Sequence, residues 1–321
     1  MPIEFTHVPG KIHAADASFF YDFVETATKL SLIEDAGFQK IVIDDQAGLL
    51  TNMDLAAQTL DRTSSLEVVL THWAGVIEPT VAARQLAALD ARSRGRLSLR
   101  MLSEPLSDDD AEARPAGHTV VWQRIDEYLV LLKRLWSNDR PFDHEGAFYS
   151  VNGGYVPRKG PHGADVTIRM GGQSGTALRV AGRHADVFEL APGSLAEIRQ
   201  SMERVRGAAA EHGRAGKLRF ALPVRIRSED RIRSEDKPAA SCQKALELAG
   251  PPAQVALSLL SYAALGIKEF MIVGVDRPRE IATAGREAIA LLRNSLARRE
   301  ADIPQPGAFA SRATQGARAG C

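Results

Sequence analysis

Gly171-Gly172-Gln173-Ser174 is the stretch of this chain best suited to hold an anion. It follows the β-like run DVTIRM (165–170) and precedes a helical pattern over 176–184. Glycines let a backbone approach a ligand closely. A helix start offers unpaired N–H groups and the positive end of a dipole. Ser174 adds a hydroxyl. Two readings stand side by side, a phosphate cradle and an ordinary strand-to-helix turn. His7 closes the strand-like Ile3–His7, where an imidazole either serves a ligand or caps the strand end. Asp44 and Asp45 follow KIVI; paired carboxylates suit acid–base work, and they equally suit capping a turn. Ser103, Glu189 and Arg225 lie at or near the ends of other β-like runs, as do His72 and Trp73. His118 precedes a long helical pattern, whereas His144, His162 and His212 fall in polar loops or helix ends and read as surface residues. Asp108–Asp110 reads as a solvated charge run, and no cluster has metal-ligand spacing.

Composition bounds these options. Forty basic and forty acidic side chains cancel, so no global field draws the chain to nucleic acid or to an anionic membrane. Cys242 and Cys321 are the two cysteines and form no CxxC, which argues against a disulfide framework or a cysteine zinc site. A reducing cytoplasm is the expected compartment. The N-terminal MPIEFTHVPGK shows no signal-peptide pattern, and no apolar run approaches the ~18 residues of a membrane span.

The elements that must position these residues alternate. Short apolar β-like runs at 3–7, 40–45, 66–72, 96–102, 165–170, 186–190, 218–227 and 269–275 are each followed by a longer helical pattern. EPTVAARQLAALDARSRG (78–95) is the best marked, with Pro79 in its first turn, Ala82, Leu86 and Leu89 on one face, and Gly95 at its stop. Eight β-then-α units predict a (β/α)8 TIM barrel, with a doubly wound open sheet as the rival. The count of eight and the lack of GxGxxG after any strand favour the barrel. A single barrel domain is expected over 1–299 and a disordered tail over 300–321. Residues 103–117 are loop by composition, and the turn-rich stretch after Trp136 has room for a hairpin. In a barrel, chemistry belongs at the C-terminal strand ends.

Three segments carry a resemblance: EPTVAARQLAALDARSRGRL (78–97), GGQSGTALRVAGRHADVFEL (171–190) and SYAALGIKEFMIVG (261–274). In order and spacing they resemble the bacterial-luciferase-like flavin-dependent monooxygenases, nearest the alkanesulfonate monooxygenase branch. The resemblance implies a luciferase-like barrel and a two-component reaction. Reduced FMN, supplied by a separate NAD(P)H-dependent flavin reductase, would react with oxygen to a peroxyflavin that attacks a small organic substrate, organosulfur compounds included. A deazaflavin is the alternative cofactor, and a homodimer or higher homo-oligomer the implied assembly. Carried over residue by residue, Gly171, Gly172, Gln173 and Ser174 would hold the flavin phosphate. Asp44, His72, Ser103 and His118 would border the flavin, with Thr71–His72 a candidate cis peptide. His7 would position the oxygen adduct and Arg225 would contact substrate as the catalytic pair. The chain also departs from the pattern: Leu49 stands for a cysteine, Ala191 for a tryptophan, Arg100 for an asparagine and Val275 for a tyrosine. Pro223-Val224-Arg225 stands for Arg-x-His. These departures keep open a catalytically degenerate flavin-binding protein and a deazaflavin-dependent oxidoreductase.

RIRSEDRIRSED (225–236) repeats one hexapeptide. The resemblance places a long insertion with a mobile lid after strand seven, so the duplication falls in a shortened lid region. A six-residue shift preserves the alternation of a strand, so either copy can continue it. A solvated segment whose interleaved charges pair with one another is expected, with a binding role for its four arginines as the alternative.

Overall fold

The structure is a computed structural model that describes residues 3–9, 23–44, 51–102, 115–227, 244–275 and 277–301. All eight expected strands form. β1 (Glu4–Val8), β2 (Lys40–Ile43), β3 (Glu67–Trp73) and β4 (Leu97–Leu102) pair in succession. β5 (Phe142–Glu145) and β6 (Ser150–Gly154) form the separate antiparallel hairpin anticipated in the turn-rich stretch. β7 (Thr167–Gly171), β8 (Val187–Glu189) and β9 (Arg219–Arg227) continue the barrel, and β11 (Glu269–Val273) closes it against β1. Every barrel pairing is parallel, and the ring closes through β8–β9, β9–β11 and β11–β1, which excludes the open doubly wound sheet.

β10 (Leu246–Ala249) was not foreseen. It pairs in parallel with the outer half of β9, Leu246 opposite Val224 and Ala249 opposite Arg227. Val224 also pairs with Ile272 on β11, so β10 takes the other edge of β9, the edge that β8 occupies lower down. It therefore forms a rim beyond the end of β8. Thus Arg225–Arg227 of the first hexapeptide copy continue β9; 228–243, including the second copy, lie outside the described residues.

The helices are α1 (Phe23–Asp35), α2 (Asn52–Arg62), α3 (Pro79–Ser93), α4 (Pro115–Ser137), α5 (Gly175–His184), α6 (Leu195–Ala210), α7 (Pro252–Ala264), α8 (Pro278–Thr283) and α9 (Ala290–Ala301). A π-helical turn over Ala284–Ile289 joins the last two. α9 runs to Ala301, two residues past the boundary expected at 299, and 302–321 lie outside the described residues. Local chemistry sets the ends. Ser174 caps α5, Ser194 and Glu197 form a capping box on α6, and α3 stops where Arg94 and Gly95 take positive φ.

Strand alternation sorts the barrel residues into two populations. Phe5, Ile41, Leu70, Leu99, Ile168, Phe188, Phe220 and Phe270 pack outward in one large apolar layer beneath the helices. The inward positions hold only a small apolar cluster, Val8, Val42, Val69, Val187, Ala221, Met271 and Val273. Charge fills the rest. Arg169, fully buried, binds Glu269 through both Nη atoms at 3.0 and 2.6 Å. Lys40 lies 3.4 Å from Glu269, 3.1 Å from Glu4 and 3.5 Å from Glu67. Thr6 donates to Glu269 as well. Burial alone would raise the Glu269 carboxyl, but Arg169 and Lys40 outweigh it and hold it at about 2. Such a network adds little net stability over an apolar filling, yet losing one member leaves a buried charge uncompensated.

Candidate functional site

A cavity of about 330 Å³ opens at the C-terminal ends of β4, β7, β8 and β9. Its wall includes Arg100, Trp122, Gly171, Gly172, Gln173 and Glu189. The expected anion turn and the inward ends of two charged strands thus share one space.

The turn is built as a cradle. Gly172 has φ +129°, a conformation that L side chains rarely adopt. A Cβ there would lie 2.7 Å from the Ala177 Cβ and 3.1 Å from Trp122. Glycine lets the turn close onto the first turn of α5 and onto the α4 indole. Ser174 Oγ accepts from the Ala177 N–H at 3.2 Å and so fixes the helix start. Gly175 faces open space, with nothing within 4 Å of where its Cβ would be. The N-terminal N–H groups of α5 sit beside that space, and Arg204 Nη2 donates to the Gln173 carbonyl at 3.4 Å.

Below the turn, Arg100 points into the barrel. Its Nε donates to Glu189 Oε2 at 2.8 Å and its Nη1 to Asp44 Oδ1 at 3.4 Å. Glu189 in turn accepts from Arg169 Nε at 3.3 Å, which joins this group to the deeper network. Thr71 Oγ1 also donates to Asp44. Asp44, expected beside the flavin, is thus engaged in holding Arg100 and β3. Asp45 and Leu49 lie outside the described residues.

Two histidines turn away from the cavity. Thr6 and Val8 face inward, so strand alternation turns His7 outward, where it stacks edge-on against Phe38 at 5.5 Å. Its Nε2 lies 2.6 Å from the Val275 carbonyl oxygen and ties the ends of β1 and β11 together. The structure therefore places the expected catalytic His7 behind the barrel wall. The same parity rule moves His72. Thr71 faces inward, and His72 stacks on Tyr128 of α4 with Nε2 2.7 Å from the phenol oxygen. Tyr128 donates to the Ile77 carbonyl at 3.3 Å. Burial pushes the His72 imidazole down to about 4, so it is neutral at physiological pH. The described residues hold no cis peptide bond, which corrects the expectation for Thr71–His72.

Arg225 shares the inward parity of Ala221 and Pro223, but its Nη1 binds Glu247 on β10 at 2.7 Å. Arg227 binds the other oxygen of Glu247, also at 2.7 Å. Both arginines thus clamp the rim strand. Ser103 lies outside the described residues; His118 is in the first turn of α4, with its side chain outside what is described. Pro223 and Ala191 line the cavity, and so do Trp122, Ser201 and Lys244, which sequence reasoning did not single out. Trp122 carried a signal in its helical spacing with Ile125 and Leu129. Lys244 carried none, since it depends on β10. Among the described residues no group of His, Cys, Asp and Glu is placed to hold a metal.

Comparison with known proteins agrees with this architecture. A family model described as luciferase-like monooxygenase matches residues 5–240. The sulfoquinovose monooxygenase of Agrobacterium fabrum is 27% identical over 217 residues, covering 66% of this chain and 54% of that protein. The FMNH(2)-dependent dimethylsulfone monooxygenase of Pseudomonas putida is 29% identical over 164 residues, covering 50% of this chain and 44% of that one. The chain spans about half the length of these curated relatives. Among solved structures, a long-chain alkane monooxygenase superposes with a TM-score of 0.75 at 15% identity, over 94% of this chain and 92% of that one.

Proposed function

Because the chain belongs to the luciferase-like monooxygenase family, we propose that it is a two-component monooxygenase that uses reduced FMN and oxygen on a small organic substrate. The observation that carries the reading is the cradle at Gly171–Ser174, where a glycine-only backbone and the start of α5 border open space. The residues present fit a phosphate there. Gly175 leaves room for its oxygens, and among the described residues nothing accepts from the first N–H groups of α5, while Ser174 caps the third. Bound reduced FMN would supply the electrons with which oxygen is activated. The chain's own part is to bind, orient and exclude water. Trp122 backs the turn, Leu102 and Pro223 give the cavity an apolar side, and the neutral His72–Tyr128 pair fastens the end of β3 to α4. His7 and Arg225 act here as ties of β1 to β11 and of β9 to β10.

The names of the two curated relatives support an organosulfur substrate. A separate NAD(P)H-dependent flavin reductase is the partner this reading requires, and a homodimer is the assembly it carries. Anaerobic titration with reduced FMN tests the reading, followed by oxygen uptake with a reductase and a panel of sulfonates and sulfones. Binding with substrate-dependent oxygen uptake is the expected result. Binding without uptake identifies a degenerate flavin binder, and no FMN binding with tight F420 binding identifies a deazaflavin enzyme; either overturns the proposal.

A further inference from the structure

We propose that Arg100 is a specificity-determining anchor that selects a substrate carrying an oxyanion, a sulfonate or carboxylate, at the floor of the cavity. The inference rests on the monooxygenase reading of this same cavity and names its substrate class.

Geometry carries it. The Arg100 side chain is only 8% exposed, and what remains accessible lines the cavity. A guanidinium has five N–H donors in a rigid plane. Nε is taken by Glu189 at 2.8 Å and Nη1 by Asp44 at 3.4 Å. Among the described residues nothing accepts from Nη2. A donor group is thus held from two sides and left open on the third. Its supports are themselves fixed, since Glu189 is shared with Arg169 and Asp44 accepts from Thr71. The guanidinium loses little freedom when a ligand oxygen arrives, which is how a prearranged site gains affinity.

Charge around the opening favours an anion. Of the cavity-lining residues, Arg100 and Lys244 are cations and Glu189 is the one acid. Burial works against the Arg100 charge, but the Glu189 and Asp44 carboxylates outweigh it, so the guanidinium stays ionised. A charge-assisted bond to an oxyanion is roughly twice as strong as a bond to a neutral oxygen. The floor therefore distinguishes two molecules of the same shape when one bears the charge.

Methanesulfonate and dimethyl sulfone are such a pair, and calorimetric titration of each into the FMN-saturated full chain is the test. FMN saturation keeps methanesulfonate off the phosphate cradle. The wild type is expected to prefer methanesulfonate by roughly 10- to 100-fold. Arg100→Lys keeps the charge but loses the fork, and is expected to lose most of that preference. The double variant Arg100→Gln/Glu189→Gln removes the closest pair of charges together, leaving Asp44 with the Thr71 hydroxyl and Arg169 with Glu269; it is expected to show no preference. Circular dichroism checks its fold, and Arg100→Lys carries the test if it is unfolded. A wild type without preference, or a preference that survives in the folded variants, overturns the assignment. So does a variant that weakens FMN binding while leaving methanesulfonate unaffected, since Arg100 would then serve the flavin. If FMN fails to bind but the Arg100-dependent preference holds, the monooxygenase reading falls and the anchor stands.

Discussion

Gly172→Ala gives the sharpest separation between a cradle and an ordinary turn. The residue has φ +129°, well beyond the left-handed helical region that other residues occasionally reach. Holding an alanine there costs about 1–3 kcal/mol in backbone strain alone. Contact adds to it, because the new methyl would sit 2.7 Å from the Ala177 Cβ and 3.1 Å from Trp122. Ala177 is fixed by its helix and Trp122 is packed in the core, so the turn itself must move. If the phosphate binds against that turn, the strain is felt as lost affinity. At about 1.4 kcal/mol per factor of ten, FMN binding should weaken roughly 5- to 150-fold. The melting temperature should fall by about 1–5 °C. Gly207→Ala is the control, since within α6 its Cβ meets nothing and alanine favours a helix; it should leave both quantities near wild type. Flavin-fluorescence titration and thermal unfolding of the two variants read the result. Wild-type FMN affinity in Gly172→Ala refutes the cradle, and a Gly207→Ala variant as impaired as Gly172→Ala refutes the geometric argument.

Glu269→Gln should destabilise the barrel by about 3–5 kcal/mol in urea unfolding, because Arg169 and Lys40 would lose the carboxylate between them. Glu269 titrates at about 2 when folded against 4.5 unperturbed. Its contribution is therefore complete above pH ~4.5 and lost as pH falls toward 2, so the gap between wild type and Glu269→Gln should narrow on acidification. His72 adds a second acid-sensitive contribution, since its folded value of about 4 lies below the unperturbed 6.5. That stability is complete above pH ~6.5 and is lost as pH falls through about 4, and a His72→Gln variant should flatten this part of the unfolding profile. Tyr128→Phe strips the hydroxyl from the buried His72 and should cost about 1–3 kcal/mol in the same assay. Arg225→Ala breaks a partly exposed ion pair and should change stability by less than about 1 kcal/mol with FMN affinity unchanged; a large loss of affinity would return Arg225 to the site.

The eight strands were legible because each is a short apolar run beside a helical one, and the strand-to-helix turn at Gly171–Ser174 because glycines and a capping serine stand together. What the sequence concealed is the inside of the barrel. IVID, TIRM, VFE and EFMIV look like strands buried on both faces, but their charged members, Asp44, Arg169, Glu189 and Glu269, all point inward; Arg169 meets Glu189 and Glu269, and Asp44 meets Arg100. A period of two makes the parity of every residue depend on one reference point, and short runs do not supply it. Had Val8 and Val42 been assigned inward, His7 would have followed outward, as would Ile43, while Asp44 and Lys40 joined the interior. The same rule explains Arg100. An arginine amid LSLRML reads as a strand interrupted by charge, until Glu189 appears across the barrel to receive it. Non-local pairing of this kind leaves no mark in local periodicity, because the partners lie 89 residues apart in the chain. The rim is hidden for a different reason. Lys244 and Glu247 gain their places only because LELA adds to an edge of β9 that the short β8 leaves uncovered. Barrel chemistry thus follows from which strands are short and which inward charges find a partner across the axis, and the Arg100 Nη2, from which nothing among the described residues accepts, is where the proposed oxyanion would complete the set.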